Sequence, residues 1–183
     1  MFEVLALVAA SLFLFLGCLP GKIRLHDDTA SILKHEDFYK SGIGKWIWTC
    51  RRPMYELANC LSYKVFRFWS PAWHLINIFL HLLSVLVLYA LLIRMGFLYS
   101  FWLAMAFAAH PLQTASVCYV SGRSNVMAGL FLFTGAYLYL GPLPWPFLSW
   151  IPFCLAYLSR EDSLVCLLWL PVLEWFRYWP YGG

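Results

Sequence analysis

The sequence predicts an all-α integral membrane protein, with about six transmembrane or re-entrant helices and an amphipathic interfacial helix in its long first loop. Three observations lead there. Hydrophobic residues fill 62% of the 183 positions and charged residues only 12%, against about 25% charged in an ordinary soluble domain. Mean hydropathy is +0.69, more apolar than a single soluble core of this length requires, so lipid is the expected solvent. Aromatic residues reach 20%, with ten Trp and eleven Tyr, which suits rings placed among lipid headgroups.

The whole chain, 1–183, reads as one membrane domain. The apolar run Phe2 to Leu19 lacks the basic start and the small-residue cleavage site of a signal peptide, and predicts a retained transmembrane helix within residues 1–19. Residues 20–71 form the long polar stretch. Within it Pro53 suits the first position of a helix, where its missing N–H costs nothing. From there Met54, Leu57, Ala58, Leu61, Val65 and Phe68 recur at helical spacing, with Arg52, Glu56, Asn59, Lys64 and Arg67 supplying polarity elsewhere. That pattern predicts a helix lying in the membrane interface.

Residues 72–183 read as a helical bundle. Apolar runs cover roughly Ala72 to Met95, Phe97–Ala109, Val126–Leu140, Trp145–Leu158 and Ser163–Phe176. Several are shorter than the ~20 residues that cross a bilayer unaided, and so must be extended, tilted or re-entrant. Gly141-Pro-Leu-Pro-Trp-Pro146 is a helix-breaking connector.

The net charge of +4 is unevenly placed: nine of the thirteen Lys and Arg lie between Lys22 and Arg67. Such a block suits anionic lipid headgroups or a lipid-linked phosphate rather than nucleic acid, for which no soluble basic domain exists. The six cysteines form no CxxC pair and have no His at zinc spacing, so no metal is expected. Cys50 and Cys60 share the long loop and can bridge in an oxidising compartment.

If the helices alternate, the loops after the first, third and fifth segments share one face. They carry Asp27 and Asp28, then His110 and Arg123, then Arg160 and Glu161, while the other loops are nearly free of charge. Ionisable groups near a membrane are costly, and their gathering on one face points to a site.

The order of these residues resembles the N-terminal part of a GT-C-fold glycosyltransferase. It is closest to the transmembrane O-mannosyltransferase-like proteins that often carry tetratricopeptide repeats. The matching landmarks are Asp27-Asp28, Arg52-Pro53 and His74-Leu-Ile-Asn77-Ile-Phe-Leu-His81. They continue with His110-Pro111-Leu-Gln-Thr114, Val120-Ser-Gly-Arg123-Ser-Asn125-Val126 and Ser159-Arg160-Glu161-Asp162. Asn125 stands where the pattern has an acid, and Arg160 where it usually has Lys.

The resemblance implies transfer of a sugar from a polyprenyl-phosphate carrier to an acceptor hydroxyl, with the lipid-linked sugar as substrate and no other cofactor. Asp27 or Asp28 is then the general base. Arg52, His110, Arg123, Arg160 and Glu161 form the lipid-phosphate and sugar subsite, Arg123 and Arg160 converging on the leaving phosphate. Other roles remain open: Asp28 as a helix N-cap, Arg160 with Glu161 as a structural ion pair, and His74, Asn77 and His81 as links to neighbouring helices.

The resemblance implies a bacterial inner membrane or endoplasmic reticulum protein with its site facing the periplasm or lumen. The excess of positive charge in residues 20–71 argues for the cytoplasm instead. Catalytic members of the family carry further helices and usually a soluble C-terminal domain. A second expectation is therefore a non-catalytic membrane scaffold that keeps the fold and packs against partner membrane proteins.

Overall fold

The computed structural model describes residues 2–20, 50–142 and 145–178. Among these the secondary structure is entirely helical. Helix α1 (Phe2–Phe15) ends in a 3-10 turn, Leu16–Cys18. Then come α2 (Pro53–Phe66), α3 (Ser70–Arg94), α4 (Ser100–Ala109), the short α5 (Leu112–Val117) and a 3-10 turn, Val120–Gly122. Helices α6 (Arg123–Tyr139), α7 (Trp145–Leu148) and α8 (Trp150–Ser159) follow. A 3-10 segment, Glu161–Trp169, leads into α9 (Leu170–Tyr178).

Helix α3 is the axis of the bundle. Pro71 sits in its first turn, where a missing N–H is harmless, and beyond its end Gly96 takes φ 77°, a conformation that needs no Cβ. Its 25 residues rise about 37 Å, enough for the ~30 Å of a bilayer core. Among the described residues it is the helix long and apolar enough to cross a membrane. Phe2–Cys18, Ser100–Ala109 and Pro146–Ser159 are shorter apolar helices.

Small residues bring the helices close. Leu7 of α1, Val85 of α3 and Ala104 and Ala108 of α4 form one core cluster, while Leu91, Ala136 and Leu173 join α3, α6 and α9. A Cβ on Gly135 of α6 would meet the Phe153 ring of α8 at 2.7 Å. Large apolar side chains also face outward, Phe13 at 85% exposure and Leu168 at 76%.

Three expectations change. The last apolar run is not one α-helix. Pro171 would clash with the carbonyl four residues back, so the chain runs as 3-10 to Trp169 and restarts with Pro171 in the first turn of α9. Second, Asn59, one of the residues read as the outer polarity of α2, turns into the bundle. The helix buries Tyr55, Asn59, Ser62 and Tyr63, and exposes Leu61 and Val65. Asn59 and Ser62 face the bundle because a buried arginine needs their oxygens there, while Lys64 stays exposed. Third, neither Cys50 nor Cys60 is in a disulfide, and Cys18 is bonded to Cys118 with Cα atoms 5.5 Å apart. Cys60 lies seven residues into α2, about 10 Å along the helix from its start, which puts it beyond disulfide reach of the segment preceding Pro53.

Candidate functional site

The end of α1, helix α2, the start of α3, helix α5, the start of α6 and the end of α8 meet at one end of the bundle. The Cys18–Cys118 bond ties the first of these to the loop after α5. The remaining contacts of this end form two layers.

The inner layer surrounds Arg123, the first residue of α6. Its side chain is fully buried, at 0% exposure. The guanidinium donates from Nε to Asn77 Oδ1 at 2.9 Å. Its two terminal nitrogens donate to Asn59 Oδ1 at 3.0 Å, to Ser62 Oγ at 2.9 Å and to the Trp73 carbonyl at 3.2 Å. The guanidinium carbon also lies 4.9 Å from the centre of the Trp73 ring. Asn77 is oriented in turn by donating to the carbonyls of Val117 and Tyr119, at 3.3 and 2.9 Å. The planar fork of arginine suits such a site, because several acceptors at fixed angles can be met at once.

Gly122, just before Arg123, is tightly placed. A Cβ there would lie 2.5 Å from the Ser116 carbonyl oxygen. The backbone before α3 is strained to complete this layer: Arg67 takes φ 53°, and its carbonyl accepts the Trp73 indole N–H at 2.7 Å. A left-handed non-glycine residue costs about 1–3 kcal/mol and persists only where its neighbours hold it.

The outer layer is ionic. Glu161, just after α8, accepts two parallel hydrogen bonds from Arg52, at 2.9 and 3.1 Å, although 109 residues separate them. Arg51 reaches the same carboxylate at 2.9 Å. The Arg52 hydrogen bond is the main reason the Glu161 carboxyl is pulled down to about 2; hydrogen bonding at its own backbone and the charges of Arg52 and Arg51 add to it. Arg52 is raised above its ordinary value by the same hydrogen bond. Arg160 bridges to Asp162 at 2.9 Å and also donates to Asn125 in the first turn of α6, whose amide reaches Ser116 at 3.4 Å. Among the described residues, the three arginines and two carboxylates of these ion pairs leave one positive charge in excess, and Arg51 is 82% exposed.

The two layers divide the residues singled out in the sequence. Arg52, Arg160 and Glu161 come together at the surface. Arg123 does not converge with Arg160 on a common open space, because its guanidinium is enclosed by α2 and α3. The Asn125 that stands in place of an acid is the link between α6 and Arg160. His110 caps the end of α4 and is exposed, and its Nδ1 accepts the Leu112 N–H at 3.2 Å. Asp27 and Asp28 lie outside the described residues. His81 is buried between helices, its ring 5.1 Å from that of Phe15 and its imidazole bonded to the Ala108 backbone.

Asn77 links neighbouring helices as its position on α3 suggests, here through Arg123, whereas the parts of Asn59 and Ser62 in the Arg123 shell were not foreseen. Asn59 and Ser62, three apart on α2, and Asn77 on α3 are polar residues on helix faces that have no need of them in water. Among the described residues no three His, Cys, Asp or Glu side chains group as metal ligands.

Comparison with known proteins adds one relative. A Caenorhabditis elegans protein named as a protein O-mannosyl-transferase is 25% identical over 149 residues. The match covers 70% of this chain but 21% of that protein, so the chain spans about a fifth of the relative's length. No protein-family model and no solved structure matches the chain. The similarity supports a glycosyltransferase-like relationship, and the long apolar α3 is compatible with a membrane location.

Proposed function

We propose that this chain is the polyprenyl-phosphate-binding part of a multi-pass membrane glycosyltransferase of GT-C type. The observation that carries the reading is the outer arginine layer. Arg51, Arg52 and Arg160 stand at the surface with net positive charge, on the end of a bundle related to an O-mannosyl-transferase. Such a cluster suits a phosphate monoester or diester, because guanidinium forks match its oxygens.

A second feature supports a lipid-linked substrate. A cavity of about 310 Å³ between α1 and α3 is lined, among the described residues, by Leu12, Leu75, Ile76, Ile78, Phe79 and Leu82. It begins two residues after Trp73 and runs along the half of α3 nearest the arginines. An isoprenoid chain in this groove would carry its phosphate toward that end of the bundle. The Cys18–Cys118 bond supports a periplasmic or lumenal orientation for the same end, since disulfides persist in oxidising compartments.

In the reaction, an acceptor hydroxyl attacks the anomeric carbon of the carrier-linked sugar. The new glycosidic bond forms as the bond to the phosphate oxygen breaks. The hydroxyl proton passes to a carboxylate, for which Asp27 and Asp28 are the candidates, and polyprenyl phosphate leaves with the bonding electrons. Arg51, Arg52 and Arg160 neutralise the charge that develops on the leaving phosphate.

Glu161 favours a second reading, a scaffold that keeps the fold without the activity. In this structure its carboxylate already occupies Arg51 and Arg52. One experiment separates the two. Transfer of labelled hexose from a polyprenyl-phosphate hexose is measured with the protein in membranes. On the enzyme reading, Asp27→Asn or Asp28→Asn lowers transfer by about 10²–10⁴-fold, and Arg52→Gln weakens binding of polyprenyl phosphate. Unchanged transfer with Asn at both positions would sink the mechanism. Polyprenyl phosphate that binds without any transfer leaves the scaffold.

A further inference from the structure

Where α1 packs on α3, two buried polar groups lack a partner. Ser11 of α1 is fully enclosed, at 0% exposure, and His81 of α3 is 1% exposed. The His81 Nδ1–H donates to the Ala108 carbonyl at the end of α4, so its Nε2 is left as a bare acceptor. Among the described residues nothing donates to that nitrogen, and nothing accepts from the Ser11 hydroxyl. Other serines of the bundle turn back on their own helix. Ser62, Ser84 and Ser159 each donate to the carbonyl four residues earlier, at 2.8, 3.0 and 2.7 Å. Ser11 does not.

The packing places the two groups at one level. Leu7 shares a core cluster with Val85, and Phe15 shares another with Ile78, so α1 and α3 run antiparallel along this seam. Leu7, Ser11 and Phe15 fall on one face of α1 at helical spacing, as Ile78, His81 and Val85 do on α3. Ser11, midway along its face, therefore stands level with His81, midway along the other. The remaining surroundings are apolar rings: Phe15 lies edge-on to the imidazole at 5.1 Å, and Phe107 is 5.8 Å away.

We propose that this seam binds one water molecule, which accepts from the Ser11 hydroxyl and donates to His81 Nε2. A buried donor without an acceptor and a buried acceptor without a donor each cost free energy, and a single water meets both. A buried water needs two to four polar partners. Ser11 and His81 supply two, and helix carbonyls, with a lone pair beyond their own ladder bond, can take the second hydrogen. So enclosed a pair excludes a larger guest. Leu12 and Leu82, which follow Ser11 and His81 on their helices, line the apolar cavity between α1 and α3. The water thus pins the two walls of that cavity together.

The test uses the full chain in lipid bilayers with isotope-labelled histidine, and solid-state NMR in which magnetisation passes from water protons to the imidazoles. His81→Asn identifies the His81 signal, and His110, which is exposed, is the internal reference. The His81 ring should receive magnetisation from water on the timescale of His110. Ser11→Val, which removes the hydroxyl and fills its space, should cut that transfer by about threefold or more. Ser11→Ala, which adds no volume, serves if valine disturbs the helix contact, and should cut it as well. Absence of transfer to His81 in the parent overturns the proposal, and so does transfer that either substitution leaves unchanged. A His81 Nε2 that shows a hydrogen-bonded shift but stays silent toward water overturns it in favour of a direct bond from Ser11.

Discussion

Arg123 and Arg52 were expected to serve one phosphate, yet they occupy two environments. Arg123 is enclosed, and its donors are met by Asn59, Ser62, Asn77 and the Trp73 carbonyl. Arg52 is part-exposed and holds Glu161, a partner that an incoming anion can replace. The residue type is the same in both. What separates them is how much of the desolvation cost the fold has already met. A guanidinium buried among fixed acceptors cannot release them without leaving buried polar groups unpaired. One at the surface exchanges a carboxylate for a phosphate at little cost. Arg123 therefore organises this end of the bundle, and on the proposed function Arg51, Arg52 and Arg160 are the arginines that meet the phosphate.

The comparison can be broken at its buried half first. Arg123→Met keeps length and removes every donor, leaving three side-chain acceptors stranded between α2, α3 and α6. Unfolding in detergent should show a loss of roughly 3 kcal/mol or more. Arg123→Lys should lose nearly as much, because a single ammonium cannot meet Asn59, Ser62 and Asn77 together. If Arg123→Lys were as stable as the parent while polyprenyl phosphate binding collapsed, Arg123 would belong with the outer arginines after all.

Much of this division was hidden from the sequence for a definable reason. The start of α2 at Pro53, the axis helix α3 and the gathering of the charged loops at one end follow from local signals: a proline at a first position, a long apolar run, alternation along the chain. The orientation of α2 does not. The apolar spacing of Leu61 and Val65 points to an interfacial helix, but it does not show which of its polar residues turn into the bundle. Where the outside is itself apolar, the buried face is chosen by polar need, here the four acceptors around Arg123. The partners of Cys18 and Glu161 were equally illegible, since each lies about a hundred residues away and no local pattern announces it.

The disulfide sharpens the same contrast with a smaller effect. Cys118 lies between Val117 and Tyr119, whose carbonyls orient Asn77 and through it Arg123. A disulfide is typically worth about 2–4 kcal/mol in a chain that unfolds fully. Cys118→Ala should lower the unfolding midpoint accordingly and leave the Arg52–Glu161 pair unaffected. Binding of polyprenyl phosphate by the folded variant should then match the parent. A variant that stays stable but loses binding would show that the bond serves the outer layer instead.

The smallest effect belongs to Glu161, and its pH dependence fixes its sign. The carboxyl falls from its usual 4.5 to about 2 on folding, chiefly through the Arg52 hydrogen bond. A group whose pKa is depressed in the folded state contributes fully above its unfolded value and loses that contribution as pH falls through the folded one. Glu161 should therefore stabilise the protein evenly above about pH 4.5, with the benefit fading from there toward pH 2. Thermal midpoints of the parent and Glu161→Gln, followed across that range, should differ by a small constant at neutral pH and converge in acid. The same substitution has the opposite effect on ligand binding. Once the carboxylate is gone, Arg51 and Arg52 are unopposed, and polyprenyl phosphate should bind a few-fold more tightly at pH 7. If Glu161→Gln instead weakens that binding, the carboxylate positions the arginines for the anion rather than competing with it, and the picture of an exchangeable outer layer is wrong.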